Sequence, residues 1–489
     1  MKACAAARLS NIAESNKMFA EENISKLLYK FSVPAIISLM VAEMYNMVDS
    51  MFLGQAIGAN AIGALTIAFP IQRLFFAISM LIAIGASTCV SRSCGDKDYE
   101  TLKTIIPNAI ILMFIIVSII AASIFIFQDR ILISLGASKN TFSLAKNYIS
   151  IILIGVLFQS FTVIASYIIT SFGNTKIVLL STSIGAIFNV IIDYFLINVF
   201  SYGVKGAAIA TVASQIIAFI YVLIVFIKLK TSLNFSFKLR LNKAISIGII
   251  SIGFSTFIVE ISDALVAAIL NNLLFSYGGD SAIVTIGLTT RVSMFLFMTV
   301  MGISSAMQPI AAYNFGAGNY TRLKEVVKSS IIAVSVSSTL LWAIFMIFSN
   351  QLIGLFISDK AIIEQTTKAF RMVIAVFPCI GVYYLAISYC QAINRVKASF
   401  KLSIFRQIIV FIPLVYSFVI GLDMGVFGAW LAYPISDVIS FITAAIFIRY
   451  TYTSLEILER HQIFKLNKIK MRIASIARTE IGRASCRER

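Results

Sequence analysis

Residues 104–127 read TIIPNAIILMFIIVSIIAASIFIF, a run without one charged side chain. At the helical rise of about 1.5 Å per residue it spans about 36 Å, enough to cross a hydrocarbon layer of about 30 Å. The run shows no strand-like alternation. Hydrocarbon also offers no water to unpaired backbone groups, so a helix is favoured over an open or barrelled sheet. Comparable segments lie near 31–54, 61–91, 145–171, 177–200 and 206–227, then near 244–275, 282–313, 327–349, 369–393, 398–421 and 425–449. The sequence therefore predicts an all-α membrane protein with 12 transmembrane helices.

Composition agrees. Hydrophobic residues make up 59% of the chain and charged residues 13%, where a soluble surface needs roughly 25%. The net charge of +18 is spread over loops between apolar runs and forms no continuous patch, which points away from nucleic acid. Most loop Lys and Arg fall on the side of the connections after even-numbered spans. The positive-inside tendency then places both termini in the cytoplasm. The six cysteines form no C-x-x-C pair, and His461 is the single histidine. A histidine zinc site or a Ser-His-Asp triad has nothing to be built from, and no phosphate-cradling P-loop is present. The expectation is a non-enzyme that needs no cofactor.

The basic break at 228–243 divides the chain into two six-helix lobes, 26–227 and 244–450, flanked by tails at 1–25 and 451–489. Met18 could be the true start, leaving 1–17 non-native. IGRASCRER at 481–489 looks like translated sequencing adapter. The lobes repeat one another at an offset of about 220 residues: GVKGAAIAT (203–211) and GVFGAWLAY (425–433), GNTK (173–176) and NRVK (394–397), LGAS (135–138) and LFIS (355–358), Arg73 and Arg291. An even number of spans per lobe makes this a parallel repeat about a pseudo-two-fold axis along the membrane normal, an arrangement suited to alternating access.

Ionisable groups within spans cost about 2.5–3.5 kcal/mol each on insertion scales and so tend to be functional. Glu43, Asn46 and Asp49 share one stripe of the first span, Asn189 and Asp193 one face of the fifth, and Thr211 and Gln215 one face of the sixth. Carboxylates with an amide and a hydroxyl are the oxygen ligands of a hard cation, and a desolvated carboxylate holds a proton equally well. Set against this is a bland reading, in which these groups only cap helices or form buried structural hydrogen bonds. Glu260 and Asp263, three apart in the seventh span, form a second acidic pair open to a substrate or to a structural role. Tyr383, Tyr384, Met44 and Met294 are candidates for lining an adaptable apolar cavity. Pro34, Pro70, Pro378 and Pro413 are candidate kinks.

FSVPAII (31–37), VDSMFLGQAIGANAIGAL (48–65), FNVIIDYFLI (188–197), GVKGAAIAT (203–211) and MQPIAAYNFGAGNYTRLKEVV (307–327) resemble, in their order and spacing, the multidrug and toxic compound extrusion (MATE) family. The similarity runs from about residue 26 to 450. It implies two lobes in a V and a monomer of the bacterial cytoplasmic membrane. It also implies export of amphiphilic organic cations in exchange for Na⁺ or H⁺. The family's coupling site carries over onto Asp49, Asn189, Asp193, Ala207 (through its carbonyl) and Thr211, with Na⁺ as a candidate occupant. Glu260 matches an acidic position of some branches. The tenth span, apolar and aromatic around Val382, departs from relatives with an aspartate there. The alternative function is a flippase of lipid-linked saccharides with related two-lobe architecture.

Overall fold

The computed structural model describes residues 17–57, 59–135, 137, 139–233, 241–356 and 359–485. Within its helices the side chains at 46, 47, 49–51, 54–63, 139, 140, 232, 233, 280, 454, 455, 457, 458 and 460–485 lie outside that description. So do the side chain of Asp49, linker residues Lys238 and Arg240, parts of the LGAS and LFIS match, the first sixteen residues and the end of IGRASCRER.

The helices are α1 (Ile24–Ile57), α2 (Ala59–Asp96), α3 (Tyr99–Ser134), α4 (Lys139–Thr170), α5 (Lys176–Asp193) and α6 (Gly203–Leu233). In the second lobe follow α7 (Lys243–Gly279), α8 (Ser281–Gly316), α9 (Tyr320–Ile347), α10, α11 (Val396–Gly421) and α12 (Gly425–Ser485). Helix α10 is two segments, Lys360–Val373 and Phe377–Ala392, bent by 51°. Counting it as one span gives, among the described residues, 12 helices long and apolar enough to cross a membrane. Pro378 sits in the first turn of the second segment, where a missing N–H costs nothing. Pro34 and Pro70 instead lie inside continuous helices. Pro413 stands between two π-helical stretches, Phe405–Phe411 and Ser417–Gly421.

The repeat is visible in the backbone. Left-handed residues recur about 220 positions apart: Lys97 and Gly318, Gly173 and Asn394, Ser201 and Asp423, Gly203 and Gly425. Asp98 and Asn319 each cap the next helix by accepting from the N–H three residues on. A π-helical turn closes α5 at Tyr194–Val199 and its counterpart closes α11 at Ser417–Gly421. These matched turns make the lobes two copies of one design.

The lobes meet along α2 against α7 and α8, and glycine sets the approach. A methyl group built at Gly85 would collide with the Ile249 carbonyl, one at Gly253 with that of Leu81, and one at Gly316 with that of Arg92. Close to these, Gln308 Nε2 donates to Thr88 Oγ1 (2.9 Å) and to Gln391 Oε1 (3.1 Å), tying α8 to α2 and α10. Beyond the end of this seam, Phe19 is 1% exposed. It packs on Phe31 of the first lobe and stacks on Tyr313 of the second, with centroids 5.6 and 5.2 Å away. Arg322 clasps the same segment, its Nε donating to the Phe19 carbonyl (2.8 Å) and its Nη2 to that of Glu22.

At the other end of α7 the packing loosens. Asp263, Ala264, Ala267, Ala268, Asn271 and Asn272 are exposed. Leu265, Phe275 and Tyr277 are exposed among them. This face therefore mixes small and polar side chains with large apolar ones, whereas α3 exposes Phe114, Ile115, Ile119, Phe125, Ile126 and Phe127, as a lipid-facing helix does.

Candidate functional site

Helix α5 carries Asn189 and Asp193 one turn apart, 1% and 0% exposed. The π-helix begins at the next residue, Tyr194. One extra residue in a turn widens the helix locally, a distortion that concentrates at functional sites. Gly203, at φ 60°, makes the turn into α6. Gly206 then lets α6 lie against the widened turn, since a Cβ there would stand 3.1 Å from the Leu196 carbonyl oxygen. That seating brings Ala207 (0% exposed) and Thr211 (6%) into the same lobe core. Helix α1 packs on α5 and α6. Its backbone is helical through Ile57.

The Asn189 Nδ2 and Oδ1 atoms are both buried without a hydrogen-bond partner among the described residues. Such groups are rare, because each forfeits hydration for nothing. The second lobe shows that the fold does not require them. It builds the same π-helical turn and the same glycine contact, Gly428 on Phe418. By the repeat, however, Asn189 and Asp193 correspond to Phe411 and Val415, 3% and 1% exposed. One lobe keeps an amide and a carboxylate where its twin keeps apolar side chains.

Between the lobes, Arg73 Nη1 of α2 lies 3.4 Å from Glu260 Oε2 of α7. Asp263, one turn further along α7, accepts from Gln407 Nε2. Next to Gln407, Arg406 grips Asp437 through Nε and Nη2 (3.0 and 2.9 Å) and gives Nη1 to the Tyr384 hydroxyl at 3.3 Å. A small cavity is lined from both lobes by Met80 and Ile84, by Val259, Ser305 and Gln308, and by Tyr384. Tyr383 is 2% exposed and donates to the Leu402 carbonyl. Met44 is 57% exposed, Met294 and Glu43 are half-buried, and Arg291 is exposed. Of the expected residues with described side chains, Asn189, Asp193, Ala207 and Thr211 are buried in the first lobe and Glu260, Asp263 and Tyr384 lie along the junction, while Glu43, Met44, Met294 and Tyr383 join neither group.

Sequence reasoning missed Arg406 and Asp437. Both are charged residues inside apolar runs, the criterion that singled out Asp193 and Glu260, so the signal was present. Gln308 and Gln391 gave no such signal, since a neutral amide in a span costs less than a charge.

The MatE family model matches twice, over residues 34–195 and 244–417. The chain belongs to the MatE family. Each match covers most of one lobe, so the family unit is itself the repeat. Among curated MATE relatives, the multidrug export protein MepA of Staphylococcus aureus (strain NCTC 8325 / PS 47) is 27% identical over 402 residues, covering 81% of this chain and 88% of the relative. MepA of Staphylococcus saprophyticus is 26% identical over 399 residues, with the same coverages. Among solved structures, an outward-facing multidrug resistance MATE transporter superposes with a TM-score of 0.85 at 21% identity, covering 90% of this chain and 98% of that one. A transporter of Pyrococcus furiosus described as having a binding pocket of reversed polarity superposes at 0.84, with 21% identity and the same coverages. This MATE chain is a multi-pass membrane transporter of two six-helix lobes, and not an enzyme.

Proposed function

We propose that the chain is a multidrug exporter that expels amphiphilic organic cations in exchange for Na⁺ or H⁺. The observation that carries this reading is Asn189, buried with both amide atoms unpartnered among the described residues beside the buried Asp193. The apolar twin site at Phe411 and Val415 supports a role for this polar pair beyond the shared fold. Asp49 on α1, the carbonyl of Ala207 and the Thr211 hydroxyl complete an oxygen-rich set for a hard cation or a proton. Because the cluster lies between α1, α5 and α6, its occupant acts through how these helices pack. An ion shifts the balance of two states only by its difference in affinity for them.

The glycine seam, the Gln308 bridge and the Phe19 clasp lie toward the connections rich in Lys and Arg. This reading assigns that end to the cytoplasm, with both termini there. The exposed face of α7, with Asp263, Asn271 and Asn272 among its residues, then borders a cleft open to the outside. Cargo enters between the lobes, where Glu260, Asp263 and Tyr384 offer charge and an aromatic surface. The MepA relatives, named for multidrug export, support the exporter reading.

The test is ethidium efflux from cells expressing Asp49→Asn or Asp193→Asn at wild-type levels. The reading expects efflux to fall to that of cells without the transporter; wild-type rates in both variants would remove the coupling role.

A further inference from the structure

The Arg73–Glu260 contact is, among the described residues, the one ion pair that joins the two lobes. It is made by a single nitrogen and a single oxygen at 3.4 Å, not by the two-point fork that a guanidinium forms when locked to a carboxylate. Neither group is fully enclosed by protein, Arg73 being 30% and Glu260 13% exposed. The guanidinium carbon also stands 5.3 Å from the Phe69 ring and 5.9 Å from the Phe76 ring, inside the range at which a cation is held by an aromatic face.

Location adds to the argument. Glu260 is two turns along α7 from Gly253, and Arg73 two turns along α2 from Leu81, the residues in closest backbone approach. The pair therefore sits about 10 Å from the tight seam, where α7 starts to expose Asp263, Ala264 and Ala267. A carboxylate and two phenyl rings, partly exposed where the lobes begin to part, make a receptor for a flat or delocalised organic cation. A guanidinium is such a cation.

We propose that Arg73 is a tethered competitor of the cargo, holding the place at Glu260, Phe69 and Phe76 that the exported cation takes when it binds. The proposal deepens the exporter reading and rests on its cationic cargo. In the empty cleft Arg73 neutralises Glu260 and links the lobes. An incoming cation must better the arginine at the carboxylate and the rings together. A small inorganic ion gains little from the rings, and a neutral drug gains nothing from the carboxylate. Arg73 thereby sets a threshold that selects bulky, delocalised cations.

The experiment measures Kd for tetraphenylphosphonium on purified transporter in detergent, in wild type, Arg73→Gln, Arg73→Lys, Glu260→Gln and the Arg73→Gln/Glu260→Gln double variant. A thermal melt and a gel-filtration profile for each exclude misfolding. Arg73→Gln is expected to bind on the order of tenfold tighter. Arg73→Lys, which keeps the charge but loses the flat stacking group, is expected to fall between it and wild type. Glu260→Gln is expected to bind more weakly, and the double variant no better than Glu260→Gln. An unchanged or weaker Kd in well-folded Arg73→Gln, or a gain that survives in the Glu260→Gln background, overturns the proposal and leaves the pair a structural strut. Binding to none of the proteins would refute the cationic cargo itself, and this inference with it.

Discussion

At Asn189 two buried amide atoms stand without described partners, and a buried polar group left unpaired costs about 1–3 kcal/mol. Asn189→Leu, close in size and apolar like its counterpart Phe411, should melt at or above the wild-type temperature in detergent. Ion-driven efflux should meanwhile fall about tenfold or more, the worth of about one lost ligand. A variant that melts lower yet exports normally would make Asn189 a structural residue. Arg406 is the reverse case. Its buried pair with Asp437 is fully used, so Arg406→Met strands a buried carboxylate at a cost of about 3–5 kcal/mol. Arg406→Met combined with Asp437→Leu should recover most of that loss in a melting experiment. Equal melting points for the single and double variants would contradict the account. These residues were legible to different degrees. A charge in an apolar run stands out in any sequence, so Asp193 and Glu260 were readable and Arg406 and Asp437 could have been. Which of them pair off depends on helices brought together from distant stretches, as with Arg73 and Glu260.

At the scale of elements, GVKG and GVFG read first as a repeat, and the structure supplies their mechanics. The first glycine takes a left-handed turn, and the second admits a neighbouring backbone. The π-helical turn those glycines pack against left no trace in the sequence, because it shifts hydrogen bonds by one residue without changing apolar periodicity. The 51° bend of α10 was half legible: Pro378 marked a kink, but the first segment, Lys360–Val373, is too polar to read as part of a span. Past the last span, the Lys324 ammonium (Nζ–Oε2 2.6 Å) and then the Thr321 hydroxyl donate to Glu459, holding its carboxyl below the usual range. A lowered folded value means that this docking is intact above the free carboxyl's value of about 4.3. It is lost as pH falls through the folded value. A fluorophore on residue 459's helix should report release of the tail only in acid, and Glu459→Gln should shorten that acid-dependent change. A pH-independent signal in wild type would contradict it.

Over the whole molecule, two lobes of one design are joined by a glycine seam and a clasp. The clasp was not legible at all, since Phe19 lies in a polar segment before the first span and its partners Tyr313 and Arg322 come about 300 residues later. Cys94, 3% exposed near this end, offers a readout. With the other cysteines replaced by serine, Phe19→Ala should raise the rate of maleimide labelling at Cys94 several-fold, because the lobes part there more often; an unchanged rate would deny the clasp that role. The asymmetry between the lobes is the larger point: on matched turns, one lobe carries Asn189 and Asp193 where the other carries Phe411 and Val415. The most direct measurement is ethidium accumulation by proteoliposomes under an imposed Na⁺ or proton gradient, run beside ethidium binding in detergent. For Asp193→Asn the account predicts binding within about twofold of wild type and no accumulation under either gradient. Accumulation at the wild-type rate by Asp193→Asn under the gradient that drives wild type would contradict it.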